Sequence, residues 1–386
     1  MDNNKFWTEI KKFNYEILSK EELLDDQDTF LQAIRSIDTG NKERSVELLT
    51  NLYRESNCQE TINHSARLLF QQLFWDDRFD KIKSLELDTM EAIEESYRKI
   101  AVSLEQNNDR NITFSDDSYK NKLKFSVTGS PIVAVEINGI KKEFWLDTGA
   151  LLSVLSQESA DLCQVRIDSS DEVTATSSTG EDMNTKLGWV DNTSIGNLTV
   201  EKTPFIILPT ENLTFADPSI DGIIKIDGII GWDLIKYMNL KLDYKNAEYE
   251  IMKPEDEDVS NRNIIMDGYV IVRISCENDT PLYFGADTGA SSTSFSEPIF
   301  GKIKLDEVKK ETKRVGGVTG FKEVEQKIIP KLKLKINKTE IELSDVSNTL
   351  HKPCDFFEID GVVGSDILRD GCLRLDYRNG IFEVTK

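Results

Sequence analysis

The strongest constraint on how this chain can fold is an internal repetition. Asp147-Thr148-Gly149-Ala150 recurs as Asp287-Thr288-Gly289-Ala290, each at the end of a strand-like run, Phe144-Trp145-Leu146 and Tyr283-Phe284-Gly285-Ala286. Further on, Gly228-Ile229-Ile230-Gly231-Trp232-Asp233-Leu234-Ile235 matches Gly361-Val362-Val363-Gly364-Ser365-Asp366-Ile367-Leu368. Leu242-Asp243-Tyr244-Lys245-Asn246 then matches Leu375-Asp376-Tyr377-Arg378-Asn379, with the same spacing from Asp233 and Asp366. Ordered agreement over that length means that the repeated unit is a whole lobe. A two-fold arrangement of two such lobes brings the two aspartates face to face, and a facing pair of carboxylates can share one proton.

The residues around these motifs read as strands. Pro131 to Ile137 alternates and is followed by Asn138-Gly139, a hairpin signal, and Tyr269 to Ile274 is its counterpart upstream of the second aspartate. Residues 1–110 differ, with little Gly, no Pro and apolar residues at helical spacing: Phe30, Ile34, Ile37, then Val46, Leu49, Leu52. Breaks at Asp38-Thr39-Gly40-Asn41 and Trp75-Asp76-Asp77-Arg78 separate helices there. Placing Val46-Leu49 over Ile82-Leu85 gives an offset of 36 residues, weakly similar to tetratricopeptide-type helix pairs, although the consensus residues are largely missing. A generic helical bundle is the alternative. The organisation expected is a helical docking or regulatory module (1–110), a first lobe (111–252), an acidic linker (253–263) and a second lobe (264–386).

Composition removes several function classes. A net charge of -22 over 386 residues argues against nucleic-acid binding, which needs a basic face, and against an anionic membrane surface. No run approaches the roughly 18 apolar residues of a membrane span, and the N-terminus has no signal-peptide pattern. The five cysteines, odd in number and without a C-x-x-C, read as reduced thiols of a cytoplasmic protein. Only His64 and His351 are available for histidine chemistry, and neither stands in a nucleophile motif.

From about residue 125 onward the chain resembles the aspartic proteases with retroviral-type, or retropepsin-like, lobes. The resemblance rests on D-T-G-A in both lobes, each with its downstream apolar-apolar-Gly, and it does not extend to the helical region. It implies a bilobal, mainly β acid-protease fold with pseudo-two-fold symmetry, so that the whole chain is a multidomain α and β protein. It implies that Asp147 and Asp287 are catalytic and that Thr148 and Thr288 reach across to bond the opposite loop's backbone. Gly149 and Gly289 let each turn tighten so that backbone N–H groups can point at the carboxylate. Ile229-Ile230-Gly231 and Val362-Val363-Gly364 would run beneath these loops, with Asp233 and Asp366 as N-caps of short helices. One Gly-containing tip per lobe is a flap candidate: Ser178, Thr179 and Gly180 in the first, Gly316, Gly317 and Val318 in the second. No metal or cofactor is expected, since two carboxylates suffice to activate a water.

Two departures matter. Ala150 and Ala290 stand where pepsin-like enzymes usually carry a Ser or Thr bonded to the carboxylate, which leaves the ionised form less stabilised and predicts activity at mildly acidic to near-neutral pH. Leu151-Leu152 against Ser291-Ser292 predicts an asymmetric groove. The function expected is an aspartic endopeptidase acting on peptide or unfolded protein without needing to dimerise, with the helical region open to a protein partner. The alternatives are a catalytically silent peptide-binding module and a helical-repeat scaffold that keeps the protease fold.

Overall fold

A computed structural model describes residues 1–386 except 108–109, 127, 177–181, 217–222, 258–261, 277, 305–306, 318–319, 350–353 and 355. It consists of N-terminal helices followed by a mostly β region with several sheets. The helices are α1 (Asn3–Lys11), α2 (Tyr15–Leu18), α3 (Asp25–Asp38), α4 (Lys42–Glu55), α5 (Gln59–Trp75), α6 (Phe79–Ser84) and α7 (Glu95–Gln106). Local chemistry sets their ends. The Asp2 side chain accepts from Lys5 N at the start of α1, and Asn41 accepts from Arg44 N at the start of α4. Between α3 and α4, Gly40 takes a left-handed φ of 75° that suits glycine. Phe30, Leu31 and Ile34 of α3 and Val46, Leu49 and Leu52 of α4 form the buried stripes that the spacing predicts, whereas Ile37 is only partly covered. At the 36-residue offset, the 14-residue α4 corresponds to the 6-residue α6.

The helices do not stand apart from the strands. Phe13, just after α1, stacks on Tyr283 at 3.7 Å between ring centroids and on Phe357 at 4.4 Å. Asp38 at the end of α3 accepts from Arg273 Nη1 on both carboxylate oxygens, at 2.9 and 2.7 Å, while Arg273 Nη2 donates to the Arg262 carbonyl. Asp77, after α5, binds Lys236 and Tyr237. The C-terminal half of α5 is buried all round because it lies between other helices and the strand Ile264–Met266. The helical region therefore packs on both halves of the β region.

Among the described residues, a nine-stranded sheet builds the first half and an eight-stranded sheet the second. In the first, the strand Ile140–Leu146 lies between Pro131–Ile137, antiparallel, and Gly228–Ile230, parallel. In the second, Pro281–Ala286 lies between Val270–Ser275, antiparallel, and Gly361–Val363, parallel. Asn138 and Gly139, at φ 49° and 83°, close the hairpin in the two-residue turn that favours Asn-Gly. Each half also carries a long hairpin, Arg166–Thr176 with Asp182–Ile195 and Lys309–Gly317 with Gly320–Ile336.

A five-stranded sheet joins the halves, in the order Ser118–Lys122, Glu248–Met252, Asn239–Asp243, Cys372–Asp376, Ile381–Thr385. Its central ladder pairs the two copies of the repeat. Lys241 faces Arg374, its own counterpart, while Asn239 faces Asp376 and Asp243 faces Cys372. Part of the acidic stretch is laid onto this sheet: Asp256 pairs with Arg378, Glu257 with Arg374, and Asn379 Nδ2 donates to the Glu255 carbonyl at 2.8 Å. No helix among the described residues is long and apolar enough to cross a membrane.

Candidate active site

Two strands deliver the repeated tetrapeptides to one place. Ile140–Leu146 ends at Asp147, whose N–H donates to the Ile230 carbonyl at 2.9 Å. Pro281–Ala286 ends at Asp287, whose N–H donates to Val363 at 3.0 Å. The Thr148 hydroxyl then donates across to the Ala286 carbonyl (2.9 Å) and accepts from Thr288 N (2.9 Å). Reciprocally, the Thr288 hydroxyl donates to the Leu146 carbonyl (2.8 Å) and accepts from Thr148 N (3.1 Å). Both threonines are buried, so each of these four bonds is made where water cannot replace it.

The glycines are required by space. Neither Gly149 nor Gly289 has a left-handed φ. A Cβ on Gly149 would lie 2.5 Å from Asp287 Cγ, and one on Gly289 would lie 2.5 Å from Asp147 Cγ. Each carboxylate thus occupies the volume of the opposite glycine's missing side chain. Gly149 N donates to Asp147 Oδ1 and Ala290 N to Asp287 Oδ1, both at 2.8 Å. The two carboxyls adjoin and act directly on each other. Burial, in the first place, raises the pKa of both. The adjacent Asp147 charge raises Asp287 further, well above the ordinary aspartate range, while backbone N–H groups oppose the shift at each.

The layer beneath differs from expectation in one respect. Asp233 and Asp366 are not N-caps: the short helical turns Trp232–Ile235 and Ser365–Leu368 begin after Gly231 and Gly364, and neither has a side-chain cap. Each aspartate sits inside the first turn and finds donors on a neighbouring strand instead. Asp233 Oδ1 accepts from Ser153 N and Oγ at 2.8 Å. Asp366 accepts from Thr293 N at 2.9 Å and Thr293 Oγ1 at 2.7 Å. The Ser153 and Thr293 hydroxyls in turn accept from Gly231 N (3.0 Å) and Gly364 N (3.1 Å). These braces tie the apolar-Gly segments to the strands that follow each Asp-Thr-Gly-Ala loop. Burial pushes Asp233 up to about 7 and raises Asp366 as well.

Of the flap candidates, Ser178, Thr179, Gly180 and Val318 lie outside the described residues. Gly316 and Gly317 end the strand Lys309–Gly317, paired with Phe321 and Gly320. His64 packs between Trp7 and Phe356, and burial lowers its pKa to about 4. His351 lies outside the described residues. None of the five cysteines is in a disulfide. Among the described residues there is no group of three or more His, Cys, Asp or Glu arranged to hold a metal ion.

Three contacts at the site were missed at the level of sequence. The fully buried Ser130 donates to the Gly289 carbonyl at 3.1 Å, linking the first half to the second aspartate's loop. Tyr269 lays its ring edge on Gly285, two residues before Asp287. A separate apolar cluster, Val154, Leu208, Leu213, Ile226 and Ile229, packs with Trp145 and Ala150 beside the first loop. The only available signal was register: Ile132 faces Trp145 and Ile271 faces Gly285, which makes Ser130 and Tyr269 equivalent positions.

Compared with known proteins, residues 133–234 match a family model described as aspartyl protease. No curated protein matches the chain. The matched segment contains Asp147, the Asp233 brace and the strand pairing between Ile140–Leu146 and Gly228–Ile230.

Proposed function

We propose that the chain is an aspartic endopeptidase of retropepsin-like type, with two lobes related by a pseudo-two-fold axis and one active site, the Asp147/Asp287 dyad. The observation that carries this reading is the reciprocal one: each carboxylate fills the side-chain volume of the opposite glycine, beneath two crossed threonine hydroxyls. The Asn239–Asp243 ladder, in which Lys241 faces its counterpart Arg374 and the residues on either side pair crosswise, supports the axis. In this reading residues 1–110 are a helical docking or regulatory region, 111–252 the first lobe, 253–263 the linker and 264–386 the second lobe. Residues 178–180 and 316–318 are the flap tips that cover the peptide.

The chemistry follows from the shared proton. Two carboxyls this close cannot both ionise cheaply, so at working pH one is ionised and one protonated. The ionised member takes a proton from a water as the water attacks the scissile carbonyl carbon, and the protonated member donates to the carbonyl oxygen. The proton taken from the water then passes to the leaving nitrogen as the C–N bond breaks, and a hydroxyl of the tetrahedral intermediate returns a proton to the second carboxylate, restoring the pair. The two apparent pKa values belong to the pair, so acid and base are roles rather than fixed residues. Because burial raises both carboxyls, the range of activity is mildly acidic to near-neutral pH. Both aspartates lie in one chain, so one copy suffices, and five cysteines without a disulfide suit a reducing compartment such as the cytoplasm.

The test is cleavage of an unfolded protein by the wild type and by Asp147→Asn and Asp287→Asn, from about pH 3 to about pH 8. Cleavage lost in both variants, and blocked in the wild type by a statine-type transition-state mimic, is the expected result. A wild type that binds peptide yet cleaves nothing over that range would make this a silent peptide-binding fold.

A further inference from the structure

The two halves deliver their aspartates on equivalent strands, which differ two residues before the carboxyl. In the first half the strand residue two before the aspartate is Trp145; in the second it is Gly285. The absent side chain at Gly285 is what admits Tyr269. A Cβ there would lie 2.4 Å from Tyr269 Cε1 and 2.9 Å from Cδ1, so the ring rests directly on the backbone that leads into Asp287. Tyr269 is only 8% exposed, and the carboxyls of Asp287 and Asp147 are the charged groups beside its phenol. Its counterpart Ser130 instead bonds the Gly289 carbonyl, so the phenol has no equivalent beside Asp147.

The turn that carries Tyr269 is held from outside the β region. Asp267 N donates to the Tyr269 carbonyl at 3.1 Å, closing a tight turn over Gly268, whose φ is 60°. Gly268 N donates to Gln71 Oε1 of α5 at 3.1 Å, and the Tyr97 hydroxyl of α7 donates to the Gly268 carbonyl at 3.4 Å. The Asp267 carboxylate accepts from Phe356 N and Phe357 N at 3.2 and 3.1 Å. Trp75 Nε1 donates to the same Gln71 oxygen at 2.9 Å, which fixes the carboxamide. A tyrosine whose ring and turn are both held loses little freedom when its hydroxyl bonds a carboxylate.

We propose that Tyr269 is a positioning residue of the Asp147/Asp287 pair: its hydroxyl donates to the Asp287 carboxyl, and the helical region, through Gln71 and Tyr97, fixes the turn that presents it. This rests on the aspartic-protease reading for its catalytic consequence. A donor bonded to a carboxylate favours its ionised form, so the phenol works against burial and makes the two otherwise equivalent carboxyls unequal. The titratable groups facing the phenol are Asp287, Asp147 and the Cys354 thiol. Tyr269 keeps its proton throughout, since burial and the two neighbouring carboxylates raise its pKa well above the usual tyrosine value.

Tyr269→Phe removes the oxygen and leaves the ring on Gly285. The expected result is kcat down about 10-fold with KM changed less than about 2-fold, and the alkaline limb of kcat/KM moved up by about half to one pH unit. The Asp287 carboxyl, followed by carbon-13 NMR in aspartate-labelled protein and assigned by its absence in Asp287→Asn, then titrates at higher pH than in the wild type. Gly285→Ala, with the hydroxyl intact but the ring displaced, shifts the same resonance in the same direction. An unmoved resonance in Tyr269→Phe overturns the proposal even if stability falls. If the wild type cleaves nothing, the protease reading fails, while the NMR titration still decides whether the phenol acts on Asp287.

Discussion

Asp77 and Lys236 form an ion pair at 2.7 Å that joins the helical region to the short turn supporting the Asp147 loop. The lysine side chain is only 5% exposed and also donates to the Trp75 carbonyl at 3.1 Å. Arg110 reaches the same Asp77 oxygen at 2.7 Å, and the Tyr237 hydroxyl donates to the other at 2.6 Å. Although burial opposes its charge, the two cations hold Asp77 below the ordinary aspartate range.

Removing that carboxylate leaves two buried cations without their partner. Asp77→Ala is expected to destabilise the protein by about 3–5 kcal/mol in urea unfolding, and adding Lys236→Met to recover part of the loss. A loss below about 1 kcal/mol would mean that solvent reaches the cluster and that the helical region is not anchored there.

The opposed glycines make a sharper test of the site than the aspartates themselves. Gly289→Ala places a methyl group where the Asp147 carboxyl stands, 2.5 Å from its Cγ. Displacing a reacting group by about an ångström costs about 100-fold in rate, so cleavage of an unfolded protein should fall by at least that factor. Wild-type turnover in Gly289→Ala would show that the two carboxyls do not act as one site.

Asp233 gives the fold a pH dependence of predictable sign. Its folded-state pKa, raised to about 7, lies above the ordinary value of 3.8. Below the ordinary value the carboxyl is protonated in both states and costs nothing. As pH rises toward 7 the unfolded chain ionises first, and stability falls by up to the order of 4 kcal/mol. Asp233→Asn should therefore flatten the dependence of unfolding free energy on pH between about 4 and 7, leaving the part due to Asp366 and the dyad. An unchanged slope would place the dependence elsewhere.

Phe13 is held in a left-handed conformation, φ 61°, by its stack on Tyr283 and Phe357. Phe13→Ala removes the stack and keeps the backbone strain, which should cost about 3–5 kcal/mol. Limited proteolysis should then cut within residues 1–110 faster than in the wild type. Equal cutting rates would mean that Asp38–Arg273 and Asp77–Lys236 suffice to hold the helices down.

What could be read from the sequence was local or repeated. Strands ending at Asp147 and Asp287, the Asn138-Gly139 turn and the stripes of α3 and α4 follow from patterns within a few residues. Asp233 and Asp366 were misread because an aspartate near a helix start has two uses, and only the neighbouring strand decides between capping and bracing. Ser130, Tyr269 and the buried faces of α5 were illegible for a related reason. Their roles depend on which distant backbone lies opposite, as when Gln71 meets Gly268. The reason for Gly149 and Gly289 also lay in space across the site rather than in their own dihedral angles.

The sheet shared by both halves sets an order of events during synthesis. The strand Asn239–Asp243 meets Cys372–Asp376, and the Asp287 loop rests on Gly361–Val363, segments made more than a hundred residues or close to eighty residues later. A nascent chain that has exposed the first half alone carries Asp147 with no opposing carboxyl and an unpaired strand edge. On the ribosome it thus lacks the pair that the proposed hydrolysis requires, at the stage when its open strand edge most needs a chaperone.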